Sequence, residues 1–315
     1  MGDSKQSSPA WRSRSNSASP AFSNADSLAL FCQCVVHCPQ LDSRWNGSAI
    51  ARGWTKLQNL EKSTLNVNRL QAAYRYLHEW AEPVHKWRLS IGQCPLCGRR
   101  PFLSMGPSAW MTRCLSCAAT VTNLSLVPVI QEHLGDGGPT KDAYELSTYG
   151  ATLKWLERHM RSTTKSEFFQ DHPTGTMVEG ILNQDIQKLT FPDGAFDLVT
   201  SNQVFEHVGD DIAGYKETYR VLRPGGAMIF SVPFYDTPST VQTAELKNGK
   251  VVFFGEPEYH DSRIGGAKSA PVFWRHSRRD ICGRVMQAGF RKAELRAVSI
   301  ALTQRHPSLV VYAIK

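Results

Sequence analysis

The sequence has no apolar run approaching the roughly 18 residues that a helix needs to span a bilayer. The longest candidate near the start, Leu28 to Val36, is broken by Gln33. Arg12 and Arg14 lie upstream of it, but no small-residue cleavage site of the A-x-A kind follows, so a cytoplasmic protein is expected. Internal repeats are absent, and so is any dense basic tract. The formal net charge is +8, from 36 Lys and Arg against 28 Asp and Glu, yet the cations are spread along the chain. Such a charge suits an anionic partner (a nucleic acid, a phosphorylated sugar, a membrane surface) without requiring one. Hydrophobic residues make up 41% of the chain, enough for a substantial core.

A disulfide framework is not expected in a chain this long with an ordinary core. Four of the eight cysteines instead stand as Cys94-Pro-Leu-Cys97 and Cys114-Leu-Ser-Cys117. Two residues between cysteines let a tight turn aim both sulfurs at one ion, and a second such turn completes a tetrahedron of thiolates, which suits zinc. Gly98 favours the first turn. A closed four-thiolate site leaves no open position, so its expected role is structural. Cys32, Cys34 and Cys38 crowd together but lack a fourth ligand at familiar spacing, and free, partly buried thiols are expected there.

Residues 1–25 are Ser-rich with few large apolar residues, the composition of a disordered tail. Residues 26–90 are expected to be helical, with Leu70, Ala73, Tyr74, Leu77 and Trp80 at helical spacing and Pro83 as a stop. The cysteine region covers 91–134, and Gly135-Asp-Gly-Gly-Pro139 is expected to be a linker. From residue 140 to 315 strands and helices alternate. Strands are expected at Ala143 to Leu146, Phe168 and Phe169, Val178 to Leu182, Phe196 to Ser201, Ala227 to Pro233, Glu294 to Ile300 and Leu309 to Ile314. Helices are expected at Ala151 to Met160, Ile212 to Leu222 and Ser277 to Ala288. This is the pattern of an α/β, doubly wound, mostly parallel seven-stranded Rossmann-like sheet. The short connection through Pro307 makes the last strand antiparallel.

The densest motif signal runs from Asn183 to Pro233. It comprises Asn183-Gln-Asp185-Ile186, then Phe191-Pro-Asp-Gly-Ala-Phe196-Asp197, then Phe205-Glu206-His207-Val208, then Leu222-Arg-Pro224-Gly-Gly226. In this order and spacing it resembles the second half of a class I S-adenosylmethionine-dependent methyltransferase. The resemblance covers residues 140–315. It implies an Asp after the third strand that meets the adenine amino group, here Asp185 with Ile186 beside it, and Phe-Asp at the opening of the fourth strand. Most members carry Gly-x-Gly-x-Gly after the first strand. This chain has Tyr144-Glu145-Leu-Ser-Thr-Tyr-Gly150 there, so only Gly150 remains, while Glu145 matches the family's acidic residue. Glu167 resembles the acid that accepts ribose hydroxyls at the end of the second strand. Asn202, in Ser201-Asn-Gln-Val204, stands where an Asn-Pro-Pro-Tyr motif would mark base amino methylation.

The cofactor contacts implied are therefore Glu145, Gly150, Glu167, Asp185, Ile186 and Asn202, with S-adenosylmethionine and zinc as cofactors. His207, just past the fourth strand, is a candidate general base on a hydroxyl acceptor, against the reading of a packed structural pair with Glu206. His260, in the loop Gly255-Glu-Pro-Glu-Tyr-His-Asp261, is a candidate acceptor contact, against the reading of a solvated loop histidine. A cysteine knuckle ahead of a glycine-poor loop resembles a bacterial subgroup linked with glycan assembly, which implies a sugar or glycan hydroxyl as acceptor. A nucleic-acid acceptor is the second reading. The third is a non-catalytic zinc-containing binding protein that keeps the fold.

Overall fold

The structure is a computed structural model, and it describes residues 81–262 and 265–315. The Ser-rich stretch, nearly all of the expected helical region and Cys32, Cys34 and Cys38 lie outside the described residues. The described end of that region is not an α-helix. Val84–Lys86 is one 3-10 turn, and β1 (Arg88–Cys94) begins directly after it. The apolar period changes there, because Leu89 and Ile91 alternate with Ser90 and Gly92, the two-residue repeat of a strand.

β1 pairs antiparallel with β2 (Gly98–Ser104), and β2 with β3 (Thr112–Cys114). Two short helices follow, α1 (Val121–Leu124) and α2 (Leu126–Leu134). Thr120 starts α1 by accepting from the Asn123 N–H at 3.1 Å, an ordinary N-cap. The expected linker, Gly135 to Pro139, falls within the 3-10 segment Gly135–Thr140. The alternating region then opens with β4 (Asp142–Glu145), α3 (Ala151–His159) and β5 (Ser162–Lys165). It continues through β6 (Met177–Val178), β7 (Ile181–Leu182), β8 (Phe196–Asn202), α4 (Asp211–Val221) and β9 (Leu222–Ser231). Next comes a run of short strands, β10 (Phe234–Tyr235), β11 (Val241–Gln242), β12 (Ala244–Lys247), β13 (Lys250–Phe253), β14 (Tyr259–Ser262), β15 (Gly266–Pro271) and β16 (Trp274–Ser277). The chain finishes with α5 (Ile281–Met286), β17 (Lys292–Val298) and β18 (Ser308–Ile314).

Among the described residues the main sheet has six strands in the order β17-β18-β9-β8-β4-β5, and β18 alone runs antiparallel to the rest. The α/β class and the antiparallel last strand stand as expected, but the strand count is six rather than seven. The missing member is Val178 to Leu182. Glu179 and Gly180 both take positive φ, 50° and 79°, the geometry of a two-residue type I′ turn, so this segment folds back as the hairpin β6–β7. The second strand lies earlier than expected. Phe168 is exposed, and β5 is instead the polar Ser-Thr-Thr-Lys at the sheet edge. A strand bonded on one side and largely solvated needs no apolar run, so periodicity passes it by. The last helix is also shorter than Ser277 to Ala288. Ser277 ends β16, and Asp280 spends its carboxylate on the Thr240 N–H (2.7 Å) and hydroxyl (2.6 Å), so helix begins only at Ile281.

Successive strand residues point to opposite faces. Ala143, Leu198, Ala227 and Val310 face one buried cluster, and Tyr144, Val199, Met228 and Val311 face the other. The first cluster also holds Cys94, Phe102, Cys114, α1, α2 and Ile300. The cysteine region therefore shares a core with one face of the sheet, and Gly92 pairs with Ala301 in an isolated bridge. A Cβ at Gly92 would stand 2.5 Å from the Ile300 carbonyl oxygen, so only glycine permits that approach.

Asp197 shows why Phe-Asp and Leu-Arg-Pro-Gly-Gly keep their spacing. Its Oδ2 accepts from the Asp142 N–H at 2.9 Å and from the Arg223 guanidinium at 2.5 Å, tying β8 to β4 and to the start of β9. A Cβ on Gly226 would lie 2.8 Å from the Asp197 carbonyl oxygen.

Candidate cofactor cavity

Ligands in open α/β sheets bind at the carboxyl ends of the strands, where the strand order reverses. β4 is that point here, with β5 on one side and β8 on the other. A cavity of about 240 Å³ opens at those strand ends. Its walls include Glu167 after β5, Asp185 and Ile186 after the hairpin, and Asn202 at the end of β8. His207 lines it as well. Four of the six expected cofactor contacts are thus brought together with one of the two expected histidines.

Glu145 and Gly150 do not line the cavity. Glu145 is buried beneath it and accepts a hydrogen bond from the Thr200 hydroxyl on the neighbouring strand. Gly150, at φ 111°, is the residue before α3. His260 stays outside the lining, although its neighbours Asp261 and Ser262 belong to it. Sequence reasoning missed several lining residues, among them Tyr144, Phe168, Gln184 and Gln203. Gln203 has a findable signature, since it follows a parallel strand directly. It turns the chain with φ 59° and is held by its N–H to the Ser231 carbonyl at 2.9 Å.

The glycine-poor loop has its own support. Glu167 Oε1 accepts from the Thr148 N–H at 2.8 Å and the Thr148 hydroxyl at 2.7 Å. A side chain therefore fixes the loop's path, where the family's usual loop relies on glycine conformations. Asp185 Oδ1 accepts from the Gln187 N–H at 2.9 Å, an Asx-type turn that holds the carboxylate at the wall. Asn202 is oriented by its amide N–H on the Thr122 carbonyl (3.2 Å) and by the Ser231 hydroxyl donating to its Oδ1 (3.0 Å).

At the cavity edge Glu206, His207 and His260 converge. His207 Nδ1 lies 2.7 Å from the Pro271 carbonyl oxygen, which makes Nδ1 the protonated nitrogen and leaves a lone pair on Nε2. Burial pushes the His207 pKa down to about 4, with His260 reinforcing that and the Pro271 carbonyl opposing it. Burial raises Glu206 to about 8.

Burial also raises Glu145 to about 8, with the Thr200 hydroxyl pulling the other way. An acid whose native pKa lies above its ordinary 4.5 gains protons on folding. Stability from this group is complete below about 4.5, falls as pH rises, and is lost above about 8. Glu145→Gln removes the titration. Its melting temperature is expected to match wild type in mild acid and to exceed it in alkali by about 3 °C or more, the response to roughly 1 kcal/mol in a chain of this size. Scanning calorimetry at both pH extremes checks this; equal melting in alkali would mean the carboxylate is solvated in the native protein.

The four cysteines form the second constellation. Their sulfurs all lie within 4.8 Å of one another, and Cys94 Sγ to Cys117 Sγ is 3.7 Å. The Cys97 N–H bonds the Cys94 carbonyl, and the Ala118 N–H bonds the Cys114 carbonyl, closing the two turns that aim the sulfurs inward. Gly98 (φ 75°) and Ala118 (φ 58°) complete those turns. Thiol donors crowd Cys114, those of Cys117 first, and hold its pKa well below the usual thiol range. The same hydrogen bonding with Cys114 pushes the Cys94 and Cys117 thiols up, so in the absence of a cation these sulfurs hold their protons unequally.

Residues 139–230 match the family described as a methyltransferase domain. A probable S-adenosylmethionine-dependent methyltransferase of Mycolicibacterium smegmatis is 40% identical over 53 residues, which are 17% of this chain and 21% of that protein. An uncharacterized methyltransferase of Schizosaccharomyces pombe is 49% identical over 41 residues, 13% of this chain and 15% of that protein. The chain thus spans about a fifth or less of the length of these curated relatives. A solved S-adenosylmethionine-dependent methyltransferase of Mesorhizobium loti is 18% identical with a TM-score of 0.40, covering 61% of this chain and 98% of that one. Among the described residues no helix is long and apolar enough to cross a membrane. Residues 139–230 are thus similar to a methyltransferase domain, and the motif order of residues 183–233 and the six-stranded sheet agree with the class I S-adenosylmethionine-dependent pattern.

Proposed function

We propose that this chain binds S-adenosylmethionine in the strand-end cavity and passes its methyl group to a hydroxyl of a sugar or glycan. The observation that carries the cofactor reading is the convergence of Glu167, Asp185, Ile186 and Asn202 on one cavity at the reversal point of the sheet. Glu167 takes the ribose hydroxyls through Oε2, since Oε1 is engaged by Thr148. Asp185 takes the adenine amino group, and Ile186 packs against the ring. S-adenosylmethionine supplies an electrophilic methyl carbon on a good leaving group, so the chain's task is to align donor and acceptor. His207 meets only part of the expectation placed on it. It is neutral and lines the cavity, but a pKa near 4 makes it a weak resting place for a proton. It therefore serves to position. The acceptor class follows the subgroup resemblance, with β14 and β15 beside the cavity as the recognition elements.

The test is calorimetry and thermal melting of the full chain with S-adenosylhomocysteine. Saturating ligand is expected to stabilise the protein by about 2.7 kcal/mol at a hundred times the dissociation constant. No heat and no shift at millimolar ligand would instead support the non-catalytic binding protein. Labelled methyl incorporated into nucleic acid, with none in glycan, would replace the sugar reading by the nucleic-acid one.

The four cysteines, we propose, hold one structural zinc. Two C-x-x-C turns with mutually close, half- to fully buried sulfurs suit a closed tetrahedral site.

A further inference from the structure

We propose that Glu206, His207 and His260 form a second metal site, distinct from the cysteine cluster, that takes a divalent first-row cation at the edge of the cavity. The three ligand atoms form a compact triangle. His207 Nε2 is 3.3 Å from His260 Nδ1 and 3.6 Å from Glu206 Oε1, and His260 Nδ1 is 3.9 Å from the same oxygen. Ligands at about 2.1 Å from a tetrahedral ion stand about 3.4 Å apart, so small adjustments suffice to close this triangle on one cation.

Glu206 is an independent pointer. It is 1% exposed, and neither carboxylate oxygen has a hydrogen-bond partner in another residue. A buried carboxylate without donors is costly unless it stays protonated or meets a cation. Two histidines and one carboxylate on one side of a site is a common donor set for divalent metals that keep open positions.

The second nitrogen of each histidine already faces an acceptor, as ligating histidines require. His207 Nδ1 donates to the Pro271 carbonyl at 2.7 Å. His260 Nε2 lies 3.8 Å from Glu258 Oε1, and Glu258 is itself held by the Tyr235 hydroxyl at 2.9 Å and the Arg275 guanidinium.

The backbone fixes the triangle from both sides. The Phe273 N–H donates to the Glu206 carbonyl at 2.8 Å, and Trp274 Nε1 donates to the Val208 carbonyl at 2.7 Å. In the β14–β15 ladder His260 sits opposite Ala270, next to the Pro271 that holds His207. The positions not filled by protein would accept water or an acceptor oxygen. That last role rests on the proposed methyl transfer, whereas cation binding does not.

The experiment uses the full chain, loaded with a single equivalent of zinc so that only the tighter four-thiolate site is filled, then titrated with Mn²⁺ and followed by electron paramagnetic resonance and thermal melting, with no cofactor or acceptor present. Manganese is hard enough to leave a four-thiolate zinc site undisturbed. The expected result is one bound Mn²⁺ per chain and a raised melting temperature. His260→Ala, at a partly exposed position on β14, should weaken binding at least about tenfold, since even loss of an outer partner of a ligand costs about 10- to 100-fold. Glu206→Gln should abolish both the bound signal and the Mn²⁺-dependent rise in melting temperature. No Mn²⁺ bound by wild type at millimolar concentration overturns the proposal. So does equal binding by wild type, His260→Ala and Glu206→Gln. Because the readout is cation binding alone, its failure leaves the cofactor reading intact, and failure to bind S-adenosylhomocysteine leaves this site intact.

Discussion

Cys114→Ser is expected to destabilise the main sheet as well as the cysteine turns, lowering the melting temperature by about 10 °C or more and zinc content to well below one per chain. Structural zinc in small cysteine sites contributes apparent binding energies of about 10–16 kcal/mol, so a site left with three thiolates loses much of that. In this chain loss of the proposed zinc would be transmitted. Cys114 is fully buried in the same apolar cluster as Leu198 of β8 and Ile300 after β17, and β1 is bridged to Ala301. A strong chelator acting on wild type should reproduce the effect. Metal analysis and calorimetry on the two preparations check it. A Cys114→Ser protein that keeps the wild-type melting temperature and cofactor affinity would show that the knuckle folds on its own account.

Glu167→Ala is expected to weaken S-adenosylhomocysteine binding by about 100-fold, more than Asp185→Ala at about 10-fold. A hydrogen bond to a charged acceptor is worth about 1.5–3 kcal/mol, and Glu167 stands to lose two kinds of partner at once. One is the proposed ribose contact. The other is Thr148, whose N–H and hydroxyl both rest on Glu167 Oε1 and hold the glycine-poor loop in place. Asp185 holds only its own turn, through Gln187, and the proposed adenine contact. Isothermal titration of both variants gives the ratio, and Thr148→Val separates the two contributions of Glu167. A Glu167→Ala protein that binds as tightly as wild type would remove Glu167 from the cofactor site.

The buried strands were legible because their residues are apolar on both faces. Phe196 to Ser201 matches nearly all of β8, and Ala227 to Pro233 the second half of β9, for that reason. β5 was not legible. It is polar, bonded only to β4, and its neighbour Phe168 drew the expectation to an exposed position. The hairpin at Glu179-Gly180 was available as a turn signal, but an apolar Val-Glu-Gly-Ile-Leu run reads equally as a strand. Helix ends were misjudged where a side chain had a better use elsewhere, as Asp280 does with Thr240.

By itself the sequence determined the α/β class, the order of the methyltransferase motifs and the four-cysteine spacing. Each of these is local, carried by residue type within a few positions. The family resemblance also named Glu167, Asp185, Ile186 and Asn202, and the structure brings these four to one cavity although β5 and the β6–β7 hairpin were misread. Only the tertiary structure decided that Glu145 turns away beneath the cavity to Thr200, since that depends on which neighbouring strand offers a hydroxyl. Tertiary structure alone brought His260 to within 3.3 Å of His207 across 53 positions, with an unpartnered Glu206 beside them. No periodicity records that meeting, because it is made by the pairing of β14 with β15 and by the clamp of residues 271–274 on residues 206–208.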